Sequence, residues 1–429
     1  MIGRLKQNKL VRVLSLNSIS VGINFVLGFA SAKIISVFLG ASGMALIGSF
    51  RNFIAMVKGL CTMGISSAVI TLIIENKENP KALSAIYSTF FWLLAIASVV
   101  LSGIGLFFCN ALSQFLFYTI DYVNPLRLFL LLLPLVVLTI FWLAIYNGFS
   151  LFRKIIYIQT ISSILVFAVS GIGIWKFGID GGLVSLAIGE VLIVGVTSVY
   201  LVKDIRQFDW KLQFGIDGTY LNNIRKFAIM AIVSAVVGQG TLLLIRNILI
   251  ADSGLSQAGI WDAANRFSGF LMTFINSGLT LYYMPKLASS QSEQEFVAEI
   301  RTYYKILVPL SLVLIVSLYA LRNLVIHLVF SAEFSPVADL IKWQLAGDFL
   351  RILYLAFGFR LLVKQQVWRY CSIEIGFNVI YLLLSYELVS RYEAEAAVMA
   401  YFFANVVALL IMVWHFPVTI KSVFQKEVV

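Results

Sequence analysis

Residues 84–109 read SAIYSTFFWLLAIASVVLSGIGLFFC, an uninterrupted run without a charged side chain. About 20 apolar residues suffice to cross the hydrocarbon core of a bilayer as a helix. The rest of the 429-residue chain has the same character, with 60% hydrophobic residues, only 12% charged residues and a mean hydropathy of +0.94. This composition excludes a disordered chain, a nucleic-acid-binding protein and a soluble enzyme, and it predicts a polytopic membrane protein.

Apolar runs of similar length recur along the chain and predict an all-α fold of twelve transmembrane helices. The predicted spans are residues 12–39, 44–73, 84–109, 126–149, 156–176, 182–203, 227–250, 260–285, 304–329, 341–363, 370–390 and 396–416. A polar connection near the midpoint predicts two six-helix lobes around a central cavity, at 1–205 and 226–429, joined by a cytoplasmic linker at 206–225. Cations recur in corresponding spans of the two halves, which indicates a parallel repeat.

The distribution of Lys and Arg between the connections predicts the orientation. With the N-terminus inside, the inner connections hold 20 of these residues and the outer connections hold 5. Because Lys and Arg accumulate on the cytoplasmic side, both termini are expected to face the cytoplasm.

Seven cations fall inside the predicted spans, where each costs about 2.5–3.5 kcal/mol at the bilayer centre. One of them, Arg360, lies close enough to the cytoplasmic surface to reach it. The other six are predicted to line a cationic cavity that binds substrate: Lys33, Arg51, Lys58, Arg246, Arg266 and Arg351. Polar side chains at helical spacing are predicted to line the same cavity, namely Asn24, Gln239, Asn276, Asn378 and Tyr381. The alternative is ordinary helix packing through small and polar residues.

Four carboxylates in these spans are candidates for coupling transport to an ion: Glu190, Asp262, Asp348 and Glu374. Asp262 precedes Arg266 by four residues and Asp348 precedes Arg351 by three, so two intrahelical salt bridges are expected. No acid lies near Arg51 or Lys58 in the sequence.

Signatures of covalent chemistry are absent from the sequence. It contains no phosphate-binding Gly-x-x-x-x-Gly-Lys-Ser/Thr loop, no acidic pair for a metal-bound sugar nucleotide and no nucleophile motif. Its three cysteines and two histidines are scattered, so neither a metal site nor a cofactor is expected. We therefore expect a transporter and not an enzyme.

Four short stretches resemble the Wzx-type flippases of lipid-linked oligosaccharides, within the multidrug/oligosaccharidyl-lipid/polysaccharide exporter superfamily. They are Lys33 to Phe53, Gly259-Ile260-Trp261 leading to Arg266, Tyr283-Met284-Pro285-Lys286-Leu287, and Lys342 to Asp348 followed by Arg351. The last stretch is similar to flippases of O-antigen and enterobacterial common antigen intermediates.

The resemblance implies a bacterial inner-membrane protein that moves an undecaprenyl-pyrophosphate-linked oligosaccharide to the periplasmic leaflet by alternating access. The sequence leaves open whether an H⁺ or Na⁺ counter-ion moves with the substrate and whether a polymerase and chain-length proteins are partners. Arg and Lys suit pyrophosphate independently of the resemblance, since Arg binds its oxygens in pairs. Two alternatives stay open. A multidrug antiporter would share the fold but exports organic cations, and a membrane O-antigen polymerase or ligase would need a large periplasmic loop.

Overall fold

The computed structural model describes residues 2–204, 213, 215–279 and 292–417, and these form helices joined by short turns. The helices are α1 (Ile2–Thr62), α2 (Ile65–Glu75), α3 (Pro80–Phe107), α4 (Cys109–Phe117), α5 (Val123–Gly148), α6 (Phe152–Asp204), α7 (Gly218–Val233), α8 (Gln239–Gly278), α9 (Glu293–Ala320), α10 (Arg322–Val329), α11 (Val337–Val363) and α12 (Val367–His415). A π-helical turn, Ser234–Gly238, joins α7 to α8, and a 3-10 turn, Ala332–Phe334, precedes α11. The predicted motif Tyr283–Leu287, part of the predicted linker at 206–225 and the end of the span 260–285 lie outside the described residues.

Four long helices, α1, α6, α8 and α12, each contain one residue with left-handed backbone geometry. These residues are Gly40 (φ 64°), Gly178 (φ 57°), Gly254 (φ 87°) and Glu393 (φ 49°). Glycine adopts positive φ without steric cost, which explains three of the four positions. Each break falls in a connection that the sequence predicts between two spans, so each long helix consists of two segments joined at that residue.

The helices have the length and surface of membrane spans. Within the described ranges, seven helical stretches are long and apolar enough to cross a bilayer. Large apolar side chains also cover the outside of the helices, as at Val99, Ile104 and Phe107, which are 59%, 52% and 83% exposed. Helices satisfy their own backbone hydrogen bonds, so such a surface is stable in lipid. The chain is a multi-pass membrane protein.

The chain divides into two compact units. The N-terminal unit comprises residues 1–39 and 49–235, and the C-terminal unit comprises 40–48 and 236–429. Two short segments thus fall outside the lobe predicted for them, residues 40–48 and residues 226–235. The second segment packs at α2, where Gly64 leaves room for the Phe227 backbone and the Ala231 methyl group.

In the N-terminal unit, α5 forms the centre and packs against α2, α3 and α6. Its buried face carries Phe129, Leu133 and Phe141. The Phe129 ring meets Phe50 of α1 edge-on, with 6.1 Å between ring centroids. Lipid tails are as apolar as these side chains, so apolar association alone does not hold helices together in a membrane. Close packing of the large buried rings supplies the contacts instead.

In the C-terminal unit, α12 packs against α8 and α11. The buried face of α12 carries Ala397, Ala400, Ala404 and Ala408, all nearly inaccessible. Small side chains repeated at three- and four-residue intervals allow close helix approach in a membrane. This face positions the polar residues of α8 and α11 described below.

Residues 40–48, the first turns of the second segment of α1, are built into the C-terminal unit. The Ala41 N–H donates to Glu333 Oε2 over 3.2 Å. A Cβ atom on Gly259 would lie only 1.8 Å from the Ala41 carbonyl oxygen, so the two backbones touch there. Met44 and Ala45 are completely buried.

Candidate functional site

A buried charge cluster in the C-terminal unit joins the two segments of α8. Arg246 Nη2 contacts Asp262 Oδ1 at 2.6 Å, and Arg266 Nε contacts Asp262 Oδ2 at 3.3 Å. The Arg246 side chain is 1% exposed, and its guanidinium lies 5.4 Å from the centre of the buried Trp261 ring. One carboxylate thus holds two guanidinium groups, and these three side chains together carry one net positive charge.

The two guanidinium groups retain unused hydrogen-bonding capacity. Among the described residues, no acceptor pairs with the buried Arg246 Nε and Nη1 or with Arg266 Nη2. A buried donor without an acceptor costs about 1–3 kcal/mol, and more when it is charged. These N–H groups can donate hydrogen bonds to further acceptor oxygens.

Local sequence explains how the cluster forms. The Gly254 break turns α8 back on itself, so Arg246 in the first segment reaches Asp262 in the second. Gly48 leaves space for the carboxylate, since a Cβ there would lie 2.6 Å from both Asp262 oxygens. The predicted Asp262–Arg266 pair is confirmed. The Arg246 contact was missed because its spacing of 16 residues matches no single helix face.

A second buried polar group surrounds Asp348 of α11. Asp348 Oδ1 accepts from Ser268 Oγ at 2.7 Å and from the Tyr401 hydroxyl at 3.0 Å. Gly347 leaves space for this arrangement, because a Cβ there would lie 2.6 Å from the Tyr401 ring. Three different helices thus meet at one carboxylate.

The predicted Asp348–Arg351 salt bridge is wrong. Within the part of the chain that the structure describes, no ion pair joins these two residues, because the Asp348 carboxylate is directed at Ser268 and Tyr401 instead. Arg351 is exposed, and its charge interacts with the carboxylates of Glu374 and Asp348 without a direct ion-pair contact to Asp348. Ser268 and Tyr401 were not selected from the sequence, since an isolated Ser or Tyr in an apolar span gives no signal of its role.

In the N-terminal unit, Lys58 is paired with an acid that its sequence neighbourhood did not reveal. Its ammonium contacts both carboxylate oxygens of Glu190, at 2.9 and 2.8 Å. The two residues are 132 positions apart, one on α1 and one on α6, so no spacing rule predicts the pair. The partner of Lys58 is therefore an acid from a distant helix and not one from its own sequence neighbourhood.

This ion pair borders a cavity of about 320 Å³ inside the N-terminal unit. Its polar lining also includes Thr139, Gln159, Ser162 and Ser163, and its remaining walls are aliphatic. The cavity is formed by α1, α5 and the two segments of α6. The cavity therefore presents hydrogen-bonding groups and one ion pair beside apolar walls.

The remaining predicted site residues divide between the two units. Asn24, Lys33 and Arg51 lie on α1 in the N-terminal unit, where Asn24 and Arg51 are exposed. Gln239 and Asn276 lie on α8 in the C-terminal unit, both partly exposed.

Two further predicted lining residues are buried on α12. Asn378 donates to the Glu374 carbonyl oxygen at 2.8 Å, which satisfies part of its amide within the helix. The Tyr381 ring packs against Tyr401, with 5.6 Å between the ring centroids. Both side chains therefore contribute to packing in the C-terminal unit.

Known proteins similar to this chain share its fold over nearly its whole length. An inward-facing multidrug resistance MATE family transporter of the MOP superfamily superposes with a TM-score of 0.77, at 13% identity, covering 94% of this chain and 96% of that one. The lipid II flippase MurJ in an inward closed conformation superposes with a TM-score of 0.71, at 16% identity, covering 95% and 88%. At sequence identities of 13% and 16%, this structural similarity shows a common fold.

Sequence comparison gives more specific relatives. The chain is 24% identical to the lipid III flippase of Escherichia coli (strain K12) over 379 residues, which is 87% of this chain and 90% of the relative. The lipid III flippase of Shigella flexneri matches to the same extent. At the level of sequence, residues 34–339 match the family described as polysaccharide biosynthesis protein. The chain belongs to this polysaccharide biosynthesis protein family, within the multidrug/oligosaccharidyl-lipid/polysaccharide exporter superfamily.

Proposed function

We propose that the chain flips an undecaprenyl-pyrophosphate-linked oligosaccharide, of the O-antigen repeat type, from the cytoplasmic to the periplasmic leaflet. Its family and its similarity to proteins named lipid III flippase support transport of a lipid-linked saccharide precursor. The observation that carries the proposal is the Arg246–Asp262–Arg266 cluster, with its excess positive charge and with N–H groups that have no acceptor in the described part of the chain.

The chemistry of the cluster matches a pyrophosphate. Its bridged phosphates present closely spaced, negatively charged oxygens, and a guanidinium group binds such oxygens bidentately. Asp262 neutralises one of the two arginines while no ligand is present, which lowers the cost of keeping both charges in the membrane. A pyrophosphate then supplies acceptors for the remaining N–H groups.

The helices support the predicted course across the membrane. The chain crosses twelve times if four helices cross twice and four cross once. The helices that cross twice are α1, α6, α8 and α12, with α7 extending the first crossing of α8. Those that cross once are α3, α5, α9 and α11. The excess of Lys and Arg in the even-numbered connections and at the ends then directs both termini to the cytoplasm of a bacterial inner membrane. Alternating access by two lobes would carry the headgroup across while the lipid tail stays in the bilayer. An inside-negative potential favours export of an anion by about 2.3 kcal/mol per charge for each 100 mV.

The test is complementation of a bacterial strain that lacks its own flippase, scored by surface glycan and by protein level in the membrane. In Arg246→Gln, Asp262 keeps Arg266 as a partner, and in Arg266→Gln it keeps Arg246, so both variants should remain folded. Both should nevertheless lose surface glycan, whereas Arg→Lys at either position should retain part of it because the charge is kept. Lys176→Gln, which removes an exposed cation, is the matched control and should export normally.

Two results would contradict the proposal. One is normal surface glycan in Arg246→Gln and Arg266→Gln, which would reduce both arginines to a structural role beside Asp262. The other is export of a cationic dye by the purified protein in vesicles without flipping of the lipid-linked saccharide, since this is the activity of a multidrug antiporter.

A further inference from the structure

The cavity of the N-terminal unit contains a hydroxyl group that no structural role explains. The Ser162 side chain is 3% exposed, and its hydroxyl has no hydrogen-bond partner among the described residues. It lines the cavity of about 320 Å³, whose size is at the lower end of the range for small-molecule sites. A buried hydroxyl left in this state destabilises the folded protein, and a hydrogen bond from a ligand in the cavity would recover that loss.

Two neighbouring side chains extend this polar surface along α6. Ser162 and Ser163 lie three and four residues after Gln159, so each shares a helix face with it, and all three line the cavity. Hydroxyl and amide groups both donate and accept hydrogen bonds. Such a surface matches a ligand whose own groups also donate and accept, as the hydroxyls of a sugar do.

The charges in the cavity select an uncharged ligand. Lys58 and Glu190 are joined through both carboxylate oxygens, so together they add no net charge to the lining. An anion would have to take Lys58 from Glu190, and a cation would have to take Glu190 from Lys58. Separating an ion pair that is largely buried in the protein leaves one charge without its partner, which is costly. A neutral ligand can instead use the third ammonium donor and the remaining carboxylate lone pairs while the pair stays intact.

The apolar walls suit the rest of such a ligand. The lining also includes four aliphatic side chains, those of Val136, Ile140, Leu143 and Ile193. A pyranose ring presents C–H groups on its faces and hydroxyl groups at its edge, so it can contact both kinds of wall at once. From this combination we infer that the cavity of the N-terminal unit binds one uncharged sugar residue of the transported oligosaccharide. This inference rests on the proposed function and assigns the sugar to a site other than the Arg246–Asp262–Arg266 cluster.

Protection of a cysteine from labelling tests the inference on the purified full chain. In a background with Cys61, Cys109 and Cys371 replaced by Ala, Ser163→Cys should react with a maleimide. N-acetylglucosamine, the uncharged probe, should slow this reaction about threefold at about twice its Kd. Glucuronate, an anionic sugar, should leave the rate unchanged. Ser256→Cys, at an exposed position of α8, is the matched control, and neither sugar should affect it.

A second substitution separates a binding role from a structural one. Ser162→Ala removes a hydroxyl without a partner in the described chain, so it should not lower the unfolding temperature, yet it should abolish the protection of Ser163→Cys. Equal protection by glucuronate, or protection that survives Ser162→Ala, would overturn the inference. So would a lack of reaction at both Ser163→Cys and a second reporter, Gln159→Cys, because the cavity would then be closed to ligands.

The inference and the proposed function can fail separately. If Arg246→Gln abolishes export while N-acetylglucosamine fails to protect Ser163→Cys, the sugar site is refuted and the proposed function stands. If the sugar protects Ser163→Cys but Arg246→Gln exports normally, the pyrophosphate site is refuted and the sugar site stands.

Discussion

Neutralising Lys58 alone should destabilise the N-terminal unit, because it leaves the Glu190 carboxylate without its partner. Two unit charges 2.8 Å apart attract each other by about 6 kcal/mol at an effective dielectric constant of about 20, and desolvation offsets much of this. Removing one partner of a fully buried pair costs about 3–5 kcal/mol. Here the side chains are 27% and 15% exposed. Solvent screening therefore reduces the expected loss in Lys58→Met to about 1–3 kcal/mol.

The double variant separates this effect from a loss of packing. Lys58→Met combined with Glu190→Gln removes both charges and keeps the side-chain volumes similar, so its stability should return to within about 1 kcal/mol of the parent. The measurement is equilibrium unfolding of the purified proteins in mixed micelles, followed by circular dichroism and analysed as a double-mutant cycle. Additive losses in the two single variants would show that the pair is not coupled, and the electrostatic reasoning would fail.

Two other predictions address packing and orientation. Gly347→Ala would place a Cβ 2.6 Å from the Tyr401 ring, which should lower the free energy of unfolding by about 1–3 kcal/mol. Gly376→Ala, where no described atom outside the local helix backbone lies within 4 Å of the added group, should be neutral or slightly stabilising. Equal losses in both variants would contradict the packing explanation. A cysteine at Ser256 should react with an impermeant thiol reagent added to intact cells stripped of their outer membrane, and one at Gln213 should not. The opposite labelling pattern would reverse the proposed topology.

Sequence reasoning was accurate where the determinants are local. The apolar runs predicted membrane helices, and the connections between spans contain the backbone breaks at Gly40, Gly178 and Gly254. The Asp262–Arg266 pair followed from a four-residue spacing on one helix. Each of these features depends on residues that are close in the chain, where helix geometry fixes which side chains meet.

Sequence reasoning failed where partners come from distant helices. Lys58 and Glu190 meet across 132 residues, and nothing in either neighbourhood indicates the other. The spacing of Asp348 and Arg351 permitted a salt bridge, but two hydroxyl groups from other helices bind the carboxylate instead. Helical spacing establishes which residues share a face, and tertiary packing decides what that face contacts.

The assignment of residues 40–48 to the C-terminal unit has a consequence for biosynthesis. The Ala41 N–H and the Glu333 carboxylate that it contacts are separated by 292 residues. Because a chain emerges from the ribosome N-terminus first, residues 40–48 are synthesised long before Glu333. A chain interrupted after residue 235 would therefore lack the residues that this segment contacts, among them Gly259 and Glu333. Docking of residues 40–48 is thus a late step in maturation, and it makes the assembly of the first-synthesised half depend on the last.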